Sequence, residues 1–185
     1  MINQTLLEYN RVIAACKEIF IKKTVDYGTA WRILRLPSIT DQIFIKAQRI
    51  RSIQEKGTQK VAEDITSEFV GIINYCVIAL MQMKLVANSE LEVPAPEVEA
   101  MYDHEIQVNI ELLLNKNHDY GEAWRDMRIS SITDIILMKL YRTKQIEDNQ
   151  GQTLVSEGVE ANYRDMINYA VFVLIKLNWG AHETN

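Results

Sequence analysis

The sequence predicts an all-α protein built from two tandem repeats of about three helices each, packed as a pseudo-twofold helical bundle. Three observations predict this fold class. Glycine and proline are scarce, with 7 and 3 among 185 residues. Long stretches carry apolar residues at the three-to-four spacing that is typical of amphipathic helices. A 24-residue phrase that begins at Asp26 recurs 93 residues later at Asp119, with 14 of the 24 positions identical.

Each repeat divides into three principal helices separated by glycine-containing turns. We expect the helices of the two repeats at 3–26, 40–56 and 60–86, and at 97–118, 132–149 and 154–178. Residues 1–90 would form the first repeat, 91–97 a linker, and 98–185 the second repeat. The linker contains Pro94 and Pro96, which cannot lie in the interior of a helix. Because three helices make only a thin core, the two repeats are expected to pack on each other as one compact unit.

Turn and cap chemistry explains part of the polar identity between the repeats. Gly28 and Gly121 are natural helix stops, because glycine adopts the left-handed backbone that often ends a helix. The sequence S-I-T-D occurs in both repeats and fits the capping box that begins many helices. This interpretation gives Asp41 and Asp134 a structural role at the start of the second helix of each repeat.

Composition excludes several classes of protein. The net charge of −5 and the pI near 5.3 argue against binding to a nucleic-acid backbone, which requires a basic face. The N-terminus has no basic region followed by an apolar one, and the longest uncharged run, 69–83, is too short to span a bilayer. Cys16 and Cys76 lie in apolar helical patterns and are expected to be buried free thiols. We therefore expect a cytoplasmic protein without a membrane partner.

The third helix of the second repeat carries a cluster of acidic residues. At 100° per residue, a helix that includes 157–168 places Glu157, Glu160 and Asp165 on one face with Asn168. Like charges that are stacked along a helix repel each other. A hard divalent cation such as Mg²⁺, which prefers oxygen ligands, would relieve that repulsion. A metal site is the functional interpretation, and a solvated helix face is the alternative.

The first repeat departs from this acidic pattern. Glu63 and Asn74 match Glu157 and Asn168, but Thr66 and Gly71 replace the other two acids. The second repeat is therefore expected to hold the fuller ligand set, and the first to hold a degenerate second site.

Basic pairs recur in the second helix of both repeats. Lys46 with Arg49, and Lys139 with Arg142, are spaced to lie on one helical face. Such pairs bind phosphate in many proteins, although a solvated face is the ordinary alternative. Because the pairs recur in both repeats beside an acidic helix, the phosphate-binding role and the solvated face are equally supported.

Two further repeated positions are candidates for a site. Asp26 and Asp119 lie near a helix C-terminus, where a negative charge opposes the helix dipole, so each should have an arginine or a metal as a partner. Trp31 and Trp124 are interpreted first as core packing, with stacking on a base as the alternative.

The combined pattern resembles a known family. It comprises K-x-x-D-Y-G-x-A-W-R, then I-T-D with K-x-x-R, then E-x-x-E and D-x-x-N-Y, and the second repeat matches it best. This pattern resembles the nucleotide-modification-associated domain family of small bacterial and phage proteins. That family is similar to the all-α nucleoside triphosphate pyrophosphohydrolases, MazG-like and dimeric dUTPase-like, which bind Mg²⁺ through E-x-x-E and E-x-x-D motifs in a four-helix bundle.

The resemblance implies roles for individual residues. Asp165 would be the acid of the last helix, with Glu157 and Glu160 as further metal ligands. Asn162 stands where the E-x-x-D motif has glutamate, which is a departure from the enzymes. Glu111, matched by Glu18 in the first repeat, could supply the facing carboxylate.

Two functions remain open. The first is a Mg²⁺-dependent nucleotide pyrophosphohydrolase that releases pyrophosphate from a (deoxy)nucleoside triphosphate or a modified nucleotide. The second is a non-catalytic nucleotide-binding or partner-binding helical module. Whether the chain also forms a homodimer is left open. The candidate residues are Glu157, Glu160 and Asp165 for catalysis and, with Glu111, for the metal; Lys139, Arg142, Arg125, Asn168, Asp119 and Trp124 for substrate; and Glu63, Lys46, Arg49, Asn74 and Asp26 for a second site.

Overall fold

The fold is entirely helical in the part of the chain that the computed structural model describes, residues 2–57 and 64–180. Two 3₁₀ turns, Ala30–Ile33 and Ala123–Asp126, follow the first helix of each repeat. The matching order of elements in the two halves confirms both the all-α prediction and the tandem repeat. The six α-helices are α1 (Ile2–Tyr27), α2 (Leu36–Lys56), α3 (Asp64–Lys84), α4 (Ala95–Tyr120), α5 (Ile129–Asp148) and α6 (Val159–Lys176).

The helix stops are where the glycines predict them. α1 and α4 end one residue before Gly28 and Gly121, and both glycines have positive φ, 62° and 63°. Gly121 has a ψ of −148° and so lies outside the left-handed helical region that the prediction assumed. The Gly28 amide donates to the Thr24 carbonyl at 2.8 Å, and the Gly121 amide to the Asn117 carbonyl at 3.0 Å. These bonds satisfy carbonyls that the end of a helix leaves without partners.

The capping-box prediction is wrong. α2 and α5 begin at Leu36 and Ile129, before the S-I-T-D sequence, and neither has a side-chain cap at its first residue. Asp41 instead forms an ion pair with Lys144 at 2.8 Å, and Asp134 forms one with Arg51 at 3.7 Å. Both ion pairs join α2 to α5, so the aspartates are matched between the repeats because they connect the two halves.

The core lies between two helical hairpins. α2 packs on α3 and α5 packs on α6, while α3 packs on α6 and α2 on α5 across the pseudo-twofold axis. The centre is apolar, and fully buried residues include Phe69, Ile73, Met166 and Ile167. Each such side chain contributes roughly 1.5–3 kcal/mol by leaving water. α1 and α4 pack on the outside of this four-helix core, each against the third helices of both repeats.

The central helix α3 is unusually apolar. Its segment Ile65–Lys84 is long and apolar enough by composition to cross a membrane, but 67% of the relevant window is buried inside the protein. The composition is therefore accounted for by the position of α3 at the centre of the bundle. Cys16 and Cys76 are buried free thiols, as predicted, and burial raises the pKa of each well above its usual value.

Two buried hydrogen bonds cross between the repeats and follow the pseudo-twofold axis. The Tyr9 hydroxyl on α1 donates to Asn168 Oδ1 on α6 at 2.7 Å. The Tyr102 hydroxyl on α4 donates to Asn74 Oδ1 on α3 at 2.8 Å. Each asparagine of the N-Y motif is thus tied to the first helix of the opposite repeat, which gives this polar identity a structural cause.

Candidate functional site

Each repeat encloses a cavity between its first helix, its 3₁₀ turn and its third helix. The cavity of the first repeat has a volume of about 940 Å³, and that of the second about 460 Å³. Every residue that lines the second cavity has its repeat counterpart in the wall of the first. The offset is 93 in the first helix and the turn, and 94 in the third helix. Matched pairs include Lys23 with Lys116, Trp31 with Trp124, Asn74 with Asn168, and Tyr75 with Tyr169.

The decisive difference between the cavities is the residue one turn before the matched asparagine. In the second repeat this residue is Asp165, which accepts from Lys116 Nζ at 2.5 Å and from Lys139 Nζ at 2.8 Å. Burial acts to raise the pKa of Asp165, but the two lysines outweigh it and hold that pKa below its usual value. The ionised carboxylate stands where three separate cavities meet, of about 460, 570 and 850 Å³.

In the first repeat the same position is Gly71, and one continuous cavity extends past it. The side chain of Lys46 lies over the glycine, with Cδ 2.8 Å from where a Cβ would stand. The Lys46 amine is 3.7 Å from Glu68 Oε2 and 5.6 Å from the centre of the Tyr75 ring. Lys23 also lines this cavity and has no hydrogen bond or ion pair within residues 2–57 and 64–180.

The aromatic walls differ in the same direction. Trp124 is 5% exposed and stacks on Phe172, with ring centres 4.3 Å apart and planes 6° from parallel. The counterpart of Phe172 is Ile78, so Trp31 has no aromatic ring to stack on at the matching position and lines the open cavity together with Trp179. Core packing therefore accounts for Trp124, while Trp31 presents its ring to the cavity.

The helical face expected for the acids is not formed as predicted. α6 begins at Val159, five residues later than expected, because the backbone at Gly158 is still extended. Glu157 therefore precedes the helix and is exposed, so it does not share a helical face with Asp165. Within the described ranges, no group of three or more histidine, cysteine, aspartate or glutamate side chains could hold a metal ion.

A guanidinium lies between two of the second-repeat carboxylates. Arg164 donates to Glu105 Oε2 at 2.7 Å and to Glu160 Oε1 at 2.8 Å, and also to Asn109 Oδ1 at 2.9 Å. Its side chain is 7% exposed and that of Glu105 is 1% exposed. The cation between these acids is thus supplied by the protein. The donor set of the second repeat does not fit the Mg²⁺ site that the resemblance implies.

Arg125 is used inside the protein. It donates to Glu8 Oε2 at 2.6 Å and to Thr5 Oγ1 at 3.0 Å, which ties its 3₁₀ turn to α1. Its guanidinium also lies over the Trp124 ring, 4.3 Å from the ring centre. Its counterpart Arg32 donates to the Asn88 carbonyl at 2.6 Å, so the arginine of each W-R pair holds its turn in place.

The remaining candidates are dispersed. Asp119 is exposed beside His118 at 3.2 Å, and the arginine partner expected for Asp26 and Asp119 is not found in the described part of the chain. Glu111 and Arg142 are exposed, and Arg49 pairs with Glu68 at 2.8 Å. Asn168 and Asn74 accept hydrogen bonds from the buried tyrosines, Tyr9 and Tyr102. Glu63 lies outside the described residues.

Sequence reasoning named Lys46 and Lys139 but missed their cavity partners, Lys23 and Lys116. Lys23 and Lys116 begin the repeated K-x-x-D-Y-G sequence, so the signal was present in the motif itself. Arg164 was also missed, because its counterpart in the first repeat is Val70 and comparison between the repeats gives no signal there.

Comparison with known families agrees with the repeat structure. The chain matches the family described as nucleotide modification associated domain 1 in two segments, residues 23–83 and 116–177. The matched segments begin at Lys23 and Lys116 and together span more than half of the chain. No curated protein and no solved structure matches it. The chain belongs to the nucleotide-modification-associated family, as the resemblance of its motifs indicates.

Proposed function

We propose that the chain binds a nucleotide in the cavity of the first repeat and acts as a nucleotide-binding module. Membership of a family associated with nucleotide modification supports this ligand class. The observation that carries the proposal is the pair of lysines, Lys23 and Lys46, in the wall of a cavity that Gly71 leaves open. Its volume of about 940 Å³ lies within the range usual for small-molecule sites.

The lysines would bind the phosphate. Ammonium groups form short charge-assisted hydrogen bonds with phosphate oxygens. Lys46 is 3.7 Å from Glu68, beyond hydrogen-bond distance, so it loses little when it turns to a ligand. Lys23 lies in the exposed part of the wall and gives up no protein partner within the described ranges.

The aromatic residues would bind the base. Trp31, Tyr75 and Trp179 line the cavity with Phe20, and stacking of a base on such a ring contributes about 1–3 kcal/mol. This wall and the lysines belong to the same cavity, so one ligand with an apolar ring and an anionic group can contact both.

Hydrolysis is not part of the proposal. The pyrophosphohydrolase hypothesis requires a group of acids that holds a metal, whereas Asp165 is held by two lysines and Glu160 by Arg164. In the described part of the first cavity, Glu68 is the acid in the wall, and it pairs with Arg49. Binding therefore has stronger support than catalysis.

The test compares matched lysine variants of the two repeats. Lys23→Ala should weaken nucleotide binding at least ten-fold, which corresponds to about 1.4 kcal/mol. Lys116→Ala should leave it unchanged, since that lysine is engaged by Asp165. Titration calorimetry with the four deoxynucleoside mono- and triphosphates measures this directly. Tryptophan fluorescence of a Trp124→Phe protein adds a local signal, because its other two tryptophans, Trp31 and Trp179, line the cavity.

Two results would contradict the proposal. Equal loss of affinity in the two lysine variants would show that the first cavity is not the site. Sustained Mg²⁺-dependent release of pyrophosphate from any of the triphosphates would show that the chain is an enzyme, as the pyrophosphohydrolase hypothesis holds.

A further inference from the structure

We infer that the second repeat carries a closed copy of the same anion site, in which the Asp165 carboxylate occupies the position of the ligand's phosphoryl group. The nucleotide class of that ligand rests on the function proposed above. The geometry of the closed copy does not depend on the proposed function, because all of its contacts are between side chains of the protein itself.

The contacts of Asp165 describe how a lysine pair of this kind holds an oxyanion. Oδ1 accepts from Lys116 at 2.5 Å and Oδ2 from Lys139 at 2.8 Å, so each oxygen is bound by one lysine. Lys23 and Lys46 are the repeat counterparts of these two lysines. In the first repeat no side chain at position 71 stands between them, and the position of the oxyanion is left to a ligand.

Asp165 also divides the space that the first repeat keeps in one piece. It lies in the walls of the three cavities that surround it, whereas the first cavity runs without interruption from Trp31 past Gly71 to Thr66. Replacement of Asp165 by glycine should therefore join these spaces and free both lysines in a single step.

Arg164, the neighbour of Asp165, completes the closure. Its guanidinium forms ion pairs with Glu105 and Glu160, so these three charged groups are paired with one another within the protein. The corresponding residues of the first repeat are Val70 and Gly71, which supply neither charge. This adjacent pair of residues thus accounts for the difference in charge between the closed copy and the open one.

The size of the Asp165 carboxylate indicates which phosphate group of a nucleotide the open site should bind. A carboxylate places two oxygens between the lysines, which matches two oxygens of one phosphoryl group. The open site should therefore take a nucleoside monophosphate, or the terminal phosphate of a longer nucleotide, with one ligand for each chain.

Reciprocal exchange of the two residues tests the inference. Calorimetric titrations of the full chain with deoxynucleoside monophosphates, and separately with inorganic phosphate, give the number of sites. Wild type should bind one ligand, Asp165→Gly two, and Gly71→Asp at least ten-fold more weakly than wild type. The double variant Gly71→Asp/Asp165→Gly should bind one ligand again. Asp165→Ala provides a second opening variant that keeps a better helix-forming residue.

The outcomes separate this inference from the proposed function. One site in wild type and still one in both opening variants overturns the closed copy while the proposed function stands, and the retained site shows that the variants fold. No site in wild type but one in the opening variants overturns the proposed function and supports the closed copy. No binding by any of the proteins overturns both.

Discussion

The two repeats share a polar motif, yet their cavities differ in volume by a factor of about two. The residues that are identical, such as Lys46 and Lys139, do not cause the difference. The walls differ at Gly71 against Asp165, beside Val70 against Arg164, and at Ile78 against Phe172, on which Trp124 stacks. A retained charge in a duplicated protein therefore does not reveal whether its partner is a ligand or another residue of the same chain.

The two repeats also differ in the interactions that stabilise them. The second repeat buries the ion pair of Glu105 and Arg164, which the more exposed Lys84 of α3 and Glu160 extend, and the first repeat has valine at the positions that match Glu105 and Arg164. Buried ion pairs add little over well-packed apolar residues, but removing one partner leaves a buried charge uncompensated. The network should therefore tolerate loss of the buried pair better than loss of the arginine alone.

The largest expected effect follows from breaking this network. Arg164→Val should lower the free energy of unfolding by about 3 kcal/mol, the lower end of the usual range for a broken buried ion pair, because Glu105 is 1% exposed and keeps only Lys84 as a cationic partner. The double variant Glu105→Val/Arg164→Val copies Val12 and Val70 of the first repeat and should recover most of the loss. Urea denaturation followed by circular dichroism measures both. Equal destabilisation of the single and the double variant would show that packing, not the buried charge, dominates at this position.

An intermediate effect is expected at the two matched tyrosine–asparagine hydrogen bonds between the repeats. Tyr102→Phe should cost about 1–3 kcal/mol, since it leaves the buried Asn74 Oδ1 without a donor among the described residues. Tyr9→Phe should cost less, because Asn168 Oδ1 also lies 3.4 Å from the amide of Asn109. Thermal and urea unfolding of the two single variants provide the measurement. A larger loss for Tyr9→Phe would contradict this account of the asymmetry.

Local chemistry made the fold predictable from the sequence. Apolar spacing and the glycines at 28 and 121 determine the structure of the few residues around them, so both predict where helices form and where they end. The capping box failed because α2 begins at Leu36, before the motif, and Asp41 pairs with Lys144 of the other repeat, a contact that no local pattern encodes.

The candidate site was harder to predict from the sequence, because it too depends on contacts between distant residues. Counting acids favoured the second repeat, but whether Asp165 faces a metal or two lysines depends on how three helices pack. Position 157 was placed on a helix that begins two residues later. The recurrence of lysine at 23 and 116 was a further signal for the cavity beside that of Lys46 and Lys139, and it lay outside the acidic cluster.

The smallest expected effect concerns a matched contact between α2 and α5. In one copy the Glu147 carboxylate accepts from Thr40 Oγ1 at 2.5 Å and from the Tyr163 hydroxyl at 3.2 Å. In the other copy Gln54 donates to Thr133 Oγ1 at 3.1 Å. Burial raises the pKa of Glu147, and its hydrogen bonds only partly offset this.

Glu147→Gln copies the neutral residue of the other repeat and should stabilise the protein slightly at neutral pH. Since the folded-state pKa of Glu147 is raised, the folded state binds more protons than the unfolded state between the usual and the raised pKa, so wild-type stability falls as pH rises through that window. The glutamine has no such dependence, and its advantage should be a rise in Tm of about 1–3 °C at pH 7. The advantage should vanish below about pH 4, where the carboxyl group is protonated in both states. A variant that is more stable than wild type by the same amount at pH 4 and pH 7 would show that charge burial at Glu147 is not the cause.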